Sequence, residues 1–193
     1  MTRRWASPRS SWAFLCVLVP AVLALCPPAR AQGVTVALTP SVPSVAPGST
    51  FVVYVDVTQA GSLFNGFDAV IGYDPTALTL TPMSPLSLQE GSYMKSACGL
   101  RYHRFRPGAD CDTATDVLLC DGIALAGPGR IYQLQFQASS TPQVTTVRFL
   151  PGLRFYYGGI DLSLANAYDA VIAIASSTPT MTATWGSLRI LYR

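Results

Sequence analysis

Three aspartates, Asp110, Asp112 and Asp116, stand close together and have the residue type that a calcium site requires. Calcium prefers carboxylate oxygens, but an EF-hand loop also has a third Asp or Asn, a glycine at its sixth position and a closing glutamate. This segment provides none of these at the required spacing. We therefore interpret it as a solvated acidic loop and predict no metal site there.

The one histidine of the sequence, His103, stands among Arg101, Arg104 and Arg106. A zinc site would need a second histidine or paired cysteines as further ligands. Charged side chains are also typical of strands at the edge of a sheet, where they discourage pairing with another sheet. We therefore predict an arginine-bearing edge or surface strand here, without a metal ligand.

Catalytic motifs are missing from the sequence. It has no Gly-x-Ser-x-Gly elbow, no glycine-rich phosphate loop and no His-Glu-x-x-His segment. Two aspartates that meet in space could still form a glycosidase pair, but predicted strand and turn positions account for Asp56, Asp68, Asp74 and Asp121. We predict that the protein is not an enzyme and needs no cofactor.

Residues 1–31 have the composition of a secretory signal peptide. Three arginines precede an apolar run at 12–25, and the small residues of Ala29–Ala31 favour cleavage before Gln32. The run is shorter than the ~20 residues of a membrane-spanning helix, so we predict a secreted or cell-surface protein with no membrane span after cleavage. An uncleaved anchor and a lipoprotein modified at Cys26 are the alternatives.

Removal of the signal peptide changes the charge balance. The remaining 162 residues carry nine basic and ten acidic side chains, a net charge of about −1, so nothing indicates a nucleic-acid partner. This length suits one domain. We place that domain at 32–174 and a linker with a short C-terminal tail at 175–193.

Three cysteines, Cys98, Cys111 and Cys120, remain after cleavage, and an exported chain meets an oxidising compartment. A hairpin about a turn at 107–110 places Cys98 opposite Cys120. Cys111 lies near the tip of that hairpin, up to ~30 Å along the strand from Cys120, whereas a disulfide needs Cα atoms within about 7 Å. We predict a Cys98–Cys120 disulfide and a free Cys111.

Short β-type runs separated by Pro and Gly recur about every ten residues, and no sustained 3.6-residue apolar repeat is present. This pattern predicts an all-β fold, a single antiparallel β-sandwich of about nine strands with minimal helix. The predicted strands are 34–39, 51–57, 66–73, 76–81, 100–105, 116–124, 130–136, 145–150, 155–157 and 169–174.

The strand at 66–73 is central to the prediction because its two faces differ most clearly. One face carries the apolar residues expected in the core, namely Phe67, Ala69, Ile71 and Tyr73. The other face carries Gly66, Asp68, Val70 and Gly72. This second face is predicted to be flat and weakly charged, which suits contact with a partner.

Four motifs occur in the order found in cohesin domains of cellulosome-type and related secreted bacterial proteins. They are a Pro-Gly turn at 47–48, a hydrophobic strand at 51–57, a strand ending in Tyr-Asp-Pro at 66–75, and a Gly-led strand at 129–136. The sequence resembles these domains over about 34–174. The resemblance implies a jelly-roll-like sandwich that binds a dockerin module, without catalysis, in a setting of polysaccharide breakdown.

The resemblance also suggests the residues of the partner face. Asp68 falls where type I cohesins place an aspartate on the strand that meets the dockerin, and the position two residues earlier, often asparagine, is Gly66, with Asn65 displaced by one. The partner-binding candidates are Asp68, Gly66, Val70, Gly72 and Asn65.

Two other functions fit the sequence. A carbohydrate-binding module would stack sugar rings on exposed aromatics, and Tyr156 and Tyr157, before Gly158-Gly159, are the candidates, with Tyr156 expected to be exposed between buried neighbours. A structural or adhesive β-sandwich at the cell surface is the second alternative. A polysaccharide is therefore predicted as a possible additional partner.

Overall fold

Alternation of apolar and polar residues accounts for the strands. In the segment Thr50–Val57, every second residue from Phe51 onward is buried, and those between are partly exposed. Such alternation places successive side chains on opposite faces of a sheet. The computed structural model describes residues 33–176, and the same pattern recurs there in the longer strands.

The described residues form thirteen strands and little helix. A 3-10 turn at Leu86–Leu88 and the six-residue helix α1 (Ser92–Ala97) lie between the fifth and sixth strands. The strands are β1 (Val34–Pro40), β2 (Ser44–Val45), β3 (Thr50–Val57), β4 (Gly66–Gly72), β5 (Leu78–Leu80), β6 (Arg101–Arg106), β7 (Cys111–Leu118), β8 (Gly129–Ala138), β9 (Gln143–Phe149), β10 (Arg154–Tyr157), β11 (Ile160–Leu162), β12 (Leu164–Tyr168) and β13 (Ala170–Ile174).

The strands form two sheets. The first has the order β12-β1-β3-β8-β5. In the second, β4 is central, with β7 and then β6 on one side and with β10 and β9 on the other; β11 lies beyond β10, and β13 and β2 lie beyond β9. The pairs are antiparallel apart from β1 with β12 and β2 with β13. The predicted all-β, mainly antiparallel sandwich with minimal helix is confirmed.

The apolar core lies between the sheets and is rich in aromatic rings. The ring centroid of Phe67 on β4 lies 6.1 Å from that of Tyr132 on β8 and 5.9 Å from that of Phe155 on β10. Because β8 belongs to the first sheet, the contact between Phe67 and Tyr132 joins the two layers. Burial of each such ring contributes about 1.5–3 kcal/mol. The residues predicted to face the core from the central strand are all buried: Phe67, Ala69, Ile71 and Tyr73.

The position of β7 differs from the prediction. The predicted strand at 116–124 and the preceding loop are wrong, since β7 runs over Cys111–Leu118 and only a turn at 107–110 separates it from β6. The reason is its pairing with β4, which extends from Cys111 opposite Gly72 to Val117 opposite Gly66. This tertiary pairing stabilises a strand over residues whose polar composition indicated a loop.

Strands β9 and β10 share one edge of β4. Both pair antiparallel with β4 and therefore run in the same direction, β10 opposite Gly66–Asp68 and β9 opposite Ile71 and Gly72. Between them, residues 150–153 interrupt what would otherwise be one strand, and we call them the 150–153 insertion. The Leu150 N–H donates to the Val70 carbonyl at 2.8 Å, which keeps the insertion against β4.

The predicted Cys98–Cys120 disulfide is confirmed. The two Cα atoms lie 5.9 Å apart, and Cys111 is free. The β6–β7 hairpin pairs Arg101 with Leu118, one residue away from the predicted register. The disulfide lies just beyond this pair, so it joins the C-terminal end of α1 to the segment that follows β7.

The predicted signal peptide, with its cleavage before Gln32, and residues 177–193 of the predicted tail lie outside the described residues. They stay predictions, as do the proposed domain limits. Within 33–176, no helix is long and apolar enough to cross a membrane.

Candidate functional site

The outer face of the second sheet carries the predicted partner-binding residues, and we call it the β4 face. Strand pairing arranges its side chains in rows across the sheet. One row consists of Arg104 on β6, Thr115 on β7, Asp68 on β4 and Arg154 on β10. At about 4.8 Å between neighbouring strands, the Cα atoms of the two arginines are separated by about 14 Å. Asp68 therefore lies inside a polar row with an arginine at each end.

Asp68 is held by two partners. The Thr115 hydroxyl donates to Oδ1 at 2.7 Å, and Arg154 Nη2 donates to Oδ2 at 2.9 Å. The Asp68 side chain is 22% exposed and that of Arg154 is 57% exposed. Asp68 is therefore an ion-paired carboxylate, because the β4–β10 pairing brings Arg154 to it. Its orientation is fixed before any partner binds.

The two glycines of this face are covered by other side chains, so the prediction of a flat face was wrong at these two positions. The ring of Tyr156 lies where a side chain at Gly66 would be. The Leu150 side chain lies over Gly72, with its Cδ1 only 2.8 Å from where a Cβ would stand. Glycine leaves space above a strand, and here side chains of β10 and of the 150–153 insertion fill it. The lack of side chains at Gly66 and Gly72 therefore allows Tyr156 and Leu150 to pack onto this face.

The other two predicted partner residues are partly exposed. Val70 contacts Gly152 of the 150–153 insertion. Asn65 precedes β4, and its side-chain oxygen accepts from the Gly158 N–H at 3.3 Å while its own N–H donates to the Tyr156 carbonyl at 2.9 Å. Asn65 thus positions the β10–β11 turn. The structure brings all five predicted residues to one region and exposes Asp68, Val70 and Asn65 in part.

The tyrosines predicted as a sugar platform point to opposite faces of β10, as successive strand residues do. Tyr156 is half-buried over Gly66, whereas Tyr157 is 43% exposed. Burial, with a smaller contribution from the Asp68 carboxylate, raises the pKa of Tyr156 to about 12. The expectation that Tyr156 is the exposed ring was wrong, because the space above Gly66 accommodates it. The pair does not form one flat surface.

Two of the three clustered aspartates are buried, so the interpretation as a solvated loop was wrong for them. Because β7 begins at Cys111, its alternation turns Asp112 and Asp116 inward. Both carboxylate oxygens of Asp116 are buried, and neither accepts a hydrogen bond from a side chain among residues 33–176. Burial raises the pKa of Asp112 to about 6 and that of Asp116 to about 7.

His103 lies opposite Asp116 on β6, and the predicted arginine-bearing edge strand is confirmed. Its side chain points inward, however, and its Nε2 lies 2.8 Å from the Tyr132 hydroxyl. Burial lowers the pKa of His103. Next to it, Arg101 forms a 2.6 Å ion pair with the buried Glu90. Within the described part of the chain, no group of three or more His, Cys, Asp or Glu side chains is arranged to hold a metal ion.

Sequence reasoning missed the residues that surround Asp68, namely Arg154, Thr115 and Arg104. The signal that identifies them is the strand register, which pairs positions as far apart as Asp68 and Arg154. The composition of each strand by itself does not indicate which residues of the other strand it pairs with. Only the arginines of β6 stood out, and those were assigned to protection of the sheet edge.

No protein-family model and no curated protein matches the sequence. The comparison with known proteins therefore rests on solved structures. A non-cellulosomal cohesin from the archaeon Archaeoglobus fulgidus is 14% identical with a TM-score of 0.58, and the match covers 76% of this chain and 94% of that one. A type II cohesin domain from the cellulosome of Acetivibrio cellulolyticus is 11% identical with a TM-score of 0.59, covering 73% and 95%.

A third similar structure includes a bound partner. It is the sixth cohesin from scaffoldin B of Acetivibrio cellulolyticus in complex with a mutant dockerin, at 15% identity and a TM-score of 0.59 over 75% of this chain and all of that one. Identities in this range establish the architecture of the chain. The protein has the fold of the cohesin domains.

Proposed function

We propose that this protein is a secreted, non-catalytic interaction module that binds a dockerin-like module through the β4 face. The observation that carries the proposal is the row from Arg104 to Arg154, in which Asp68 is oriented by Thr115 and Arg154 on neighbouring strands. Side chains held in this way lose little freedom when a partner binds, so a larger part of the contact energy appears as affinity.

Two further observations support the proposal. A similar structure is a cohesin in complex with a dockerin. The Cys98–Cys120 disulfide suits a protein that works outside the cell or at its surface. A dockerin partner would connect the module to enzymes that break down polysaccharides, and we include that setting in the proposal.

Replacing Asp68 by Ala is expected to weaken dockerin binding at least tenfold while lowering the free energy of unfolding by about 1 kcal/mol or less. A partly exposed ion pair contributes little to stability, whereas a carboxylate at the centre of an interface contributes strongly to binding. Isothermal titration calorimetry measures the affinity, and urea unfolding measures the stability.

Asp56→Ala is the matched control for Asp68→Ala. Asp56 accepts from Arg130 Nε at 3.1 Å, and its side chain is 21% exposed, close to the value for Asp68, but it lies on the first sheet. It should lose similar stability and keep its affinity. Equal losses of affinity in the two variants would contradict the assignment of the interface to the β4 face.

The function itself is tested with purified dockerin modules encoded in the same genome, with and without calcium, and with a polysaccharide array. We expect one or more dockerins to bind when calcium is present and the array to remain negative. Binding of a glycan that is abolished by Tyr157→Ala, with no dockerin bound, would instead establish a carbohydrate-binding module. Tyr157 is the better target because it is more exposed than Tyr156.

A further inference from the structure

The basic side chains of the described residues are distributed unevenly. Three of the seven form ion pairs, namely Arg101 with Glu90, Arg130 with Asp56 and Arg154 with Asp68. The other four are Lys95 on α1 and the arginines Arg104, Arg106 and Arg148. All three arginines without an ion pair lie on the β4 face, as their exposure and strand register show.

Positive charge is concentrated in two neighbouring rows of this face. Arg104 and Arg154 end the row of Asp68, and Arg106 begins the next row, opposite Thr113. The one carboxylate in these rows is Asp68, and it is already paired with Arg154. Three guanidinium groups and one carboxylate give a local charge of about +2. We call these two rows the arginine rows.

Apart from Asp68, and from Asp161, which stands opposite Tyr156 in the row next to the arginine rows, the acidic residues of this face lie at its far end. Asp74, Asp110 and Asp169 line a depression of about 640 Å³ together with Arg148. Arg148 stands opposite Gly72, at the other end of β4 from Gly66. It therefore lies among several carboxylates, whereas the arginine rows contain only Asp68. The arginine rows are the part of the face with uncompensated positive charge.

We propose, as an extension that rests on the function proposed above, that the arginine rows bind a partner surface bearing a cluster of carboxylates. Arginine presents a planar fork of donors that matches a carboxylate in two parallel hydrogen bonds. Arginine and tyrosine are enriched in protein interfaces, from which lysine is depleted. The rows contain no lysine, and Tyr102, 46% exposed, lies beside them in the next row.

Protection of the sheet edge does not explain this arrangement by itself. Charges that prevent sheet pairing are needed on the edge strand, and lysine is the residue most used for them. Arg154 lies on β10, three strands away from the edge strand β6, and yet it belongs to the same row as Arg104. A charge pattern that extends across four strands fits a surface that contacts a partner.

A protein surface fits the arginine rows better than a nucleic acid does. Proteins that bind single-stranded nucleic acids combine a basic groove with several exposed aromatic rings on which bases stack. The arginine rows lie on a sheet face, and Tyr102 is the exposed ring beside them. Arginines whose Cα atoms are held about 14 Å apart on paired strands suit discrete carboxylates on a folded partner.

The test uses two synthetic helical peptides that are identical except that one carries glutamate where the other carries glutamine. Each is titrated into the isotopically labelled chain and followed by NMR. We expect the glutamate peptide to shift signals of β4, β6, β7 and β10, with at least tenfold weaker binding at 300 mM than at 20 mM NaCl. The glutamine peptide should not bind.

A pair of charge-matched variants completes the test. Arg104→Gln with Arg106→Gln should weaken binding of the glutamate peptide about tenfold. Lys95→Gln with Arg130→Gln removes the same charge from other parts of the chain and should change affinity by less than twofold. Equal losses in the two double variants, or heparin binding at the arginine rows more tightly than the peptide, would overturn the inference.

The two proposals fail in different ways. If a dockerin binds the wild-type protein and the Arg104→Gln, Arg106→Gln variant equally well, the acidic partner is wrong and the module function stands. If no dockerin binds but the glutamate peptide does, with the expected loss in the arginine variant alone, the dockerin assignment is wrong and the acidic partner stands.

Discussion

Replacing Cys98 and Cys120 together by Ala is expected to lower the free energy of unfolding by about 2–4 kcal/mol. The disulfide closes a loop with a sequence separation of 22 residues, which contains the whole β6–β7 hairpin. Without it, the unfolded chain gains conformational freedom, and β6, which pairs only with β7 among the described strands, loses its covalent attachment. Denaturant unfolding followed by circular dichroism measures the loss.

Cys111→Ala is the control for the double cysteine variant. This thiol is partly exposed and unpaired, so its removal should change the stability by less than about 0.5 kcal/mol. A double variant as stable as the wild type would show that the hairpin is held by its pairing with β4 alone. A large loss in Cys111→Ala would contradict the assignment of the free thiol.

The second large effect concerns pH. The carboxyl group of Asp116 has its pKa raised from 3.8 to about 7 in the folded protein. Between these values, the unfolded chain releases a proton that the folded protein retains. The stability that Asp116 contributes at low pH is therefore lost as the pH rises from about 4 to about 7, and the loss is complete above the pKa of Asp116 in the folded protein.

Asp116→Asn should remove most of this dependence. A difference of about three pKa units corresponds to roughly 4 kcal/mol, so the fall in unfolding free energy between pH 4 and pH 8 should shrink by about 2–4 kcal/mol. Asp112, with its pKa raised to about 6, retains part of the slope. His103, with its lowered pKa, acts in the opposite direction below pH 6.5, in both proteins.

Urea unfolding at intervals of one pH unit tests this expectation. Asp121→Asn alters an exposed aspartate and should leave the pH dependence of the wild type unchanged. An Asp116→Asn variant with the wild-type slope would show that Asp116 ionises in the folded protein as readily as in the unfolded chain. It would then follow that another group is responsible for any loss of stability at high pH.

The central strand could be predicted because its information is local. Alternation from Phe67 to Tyr73 identifies the buried side, and Asp74-Pro75 ends the strand. The disulfide could also be predicted, because a hairpin relates Cys98 to Cys120 through one short turn. Both predictions required only residues that are near one another in sequence, or related by a single turn.

The surroundings of the site could not be predicted in the same way. Arg154 reaches Asp68 through a pairing between strands 86 residues apart, and no local pattern selects that register over its neighbours. The burial of Asp112 and Asp116 was not predicted, because aspartate is rarely buried unless it is paired with a cation. Helix α1 has six residues, too few for a helical repeat to stand out, and it depends on burial of Met94.

The 150–153 insertion has a consequence for how such a module could diversify. It lies in the middle of the β4 face, where Gly152 touches Val70, yet it belongs to neither flanking strand. Pro151 and Gly152 are exposed, so residues could be added there without altering the hydrogen bonds of β9, β10 or β4. Evolution could therefore change which partner is selected by varying the length of one loop, much as antibodies vary their loops on a constant framework.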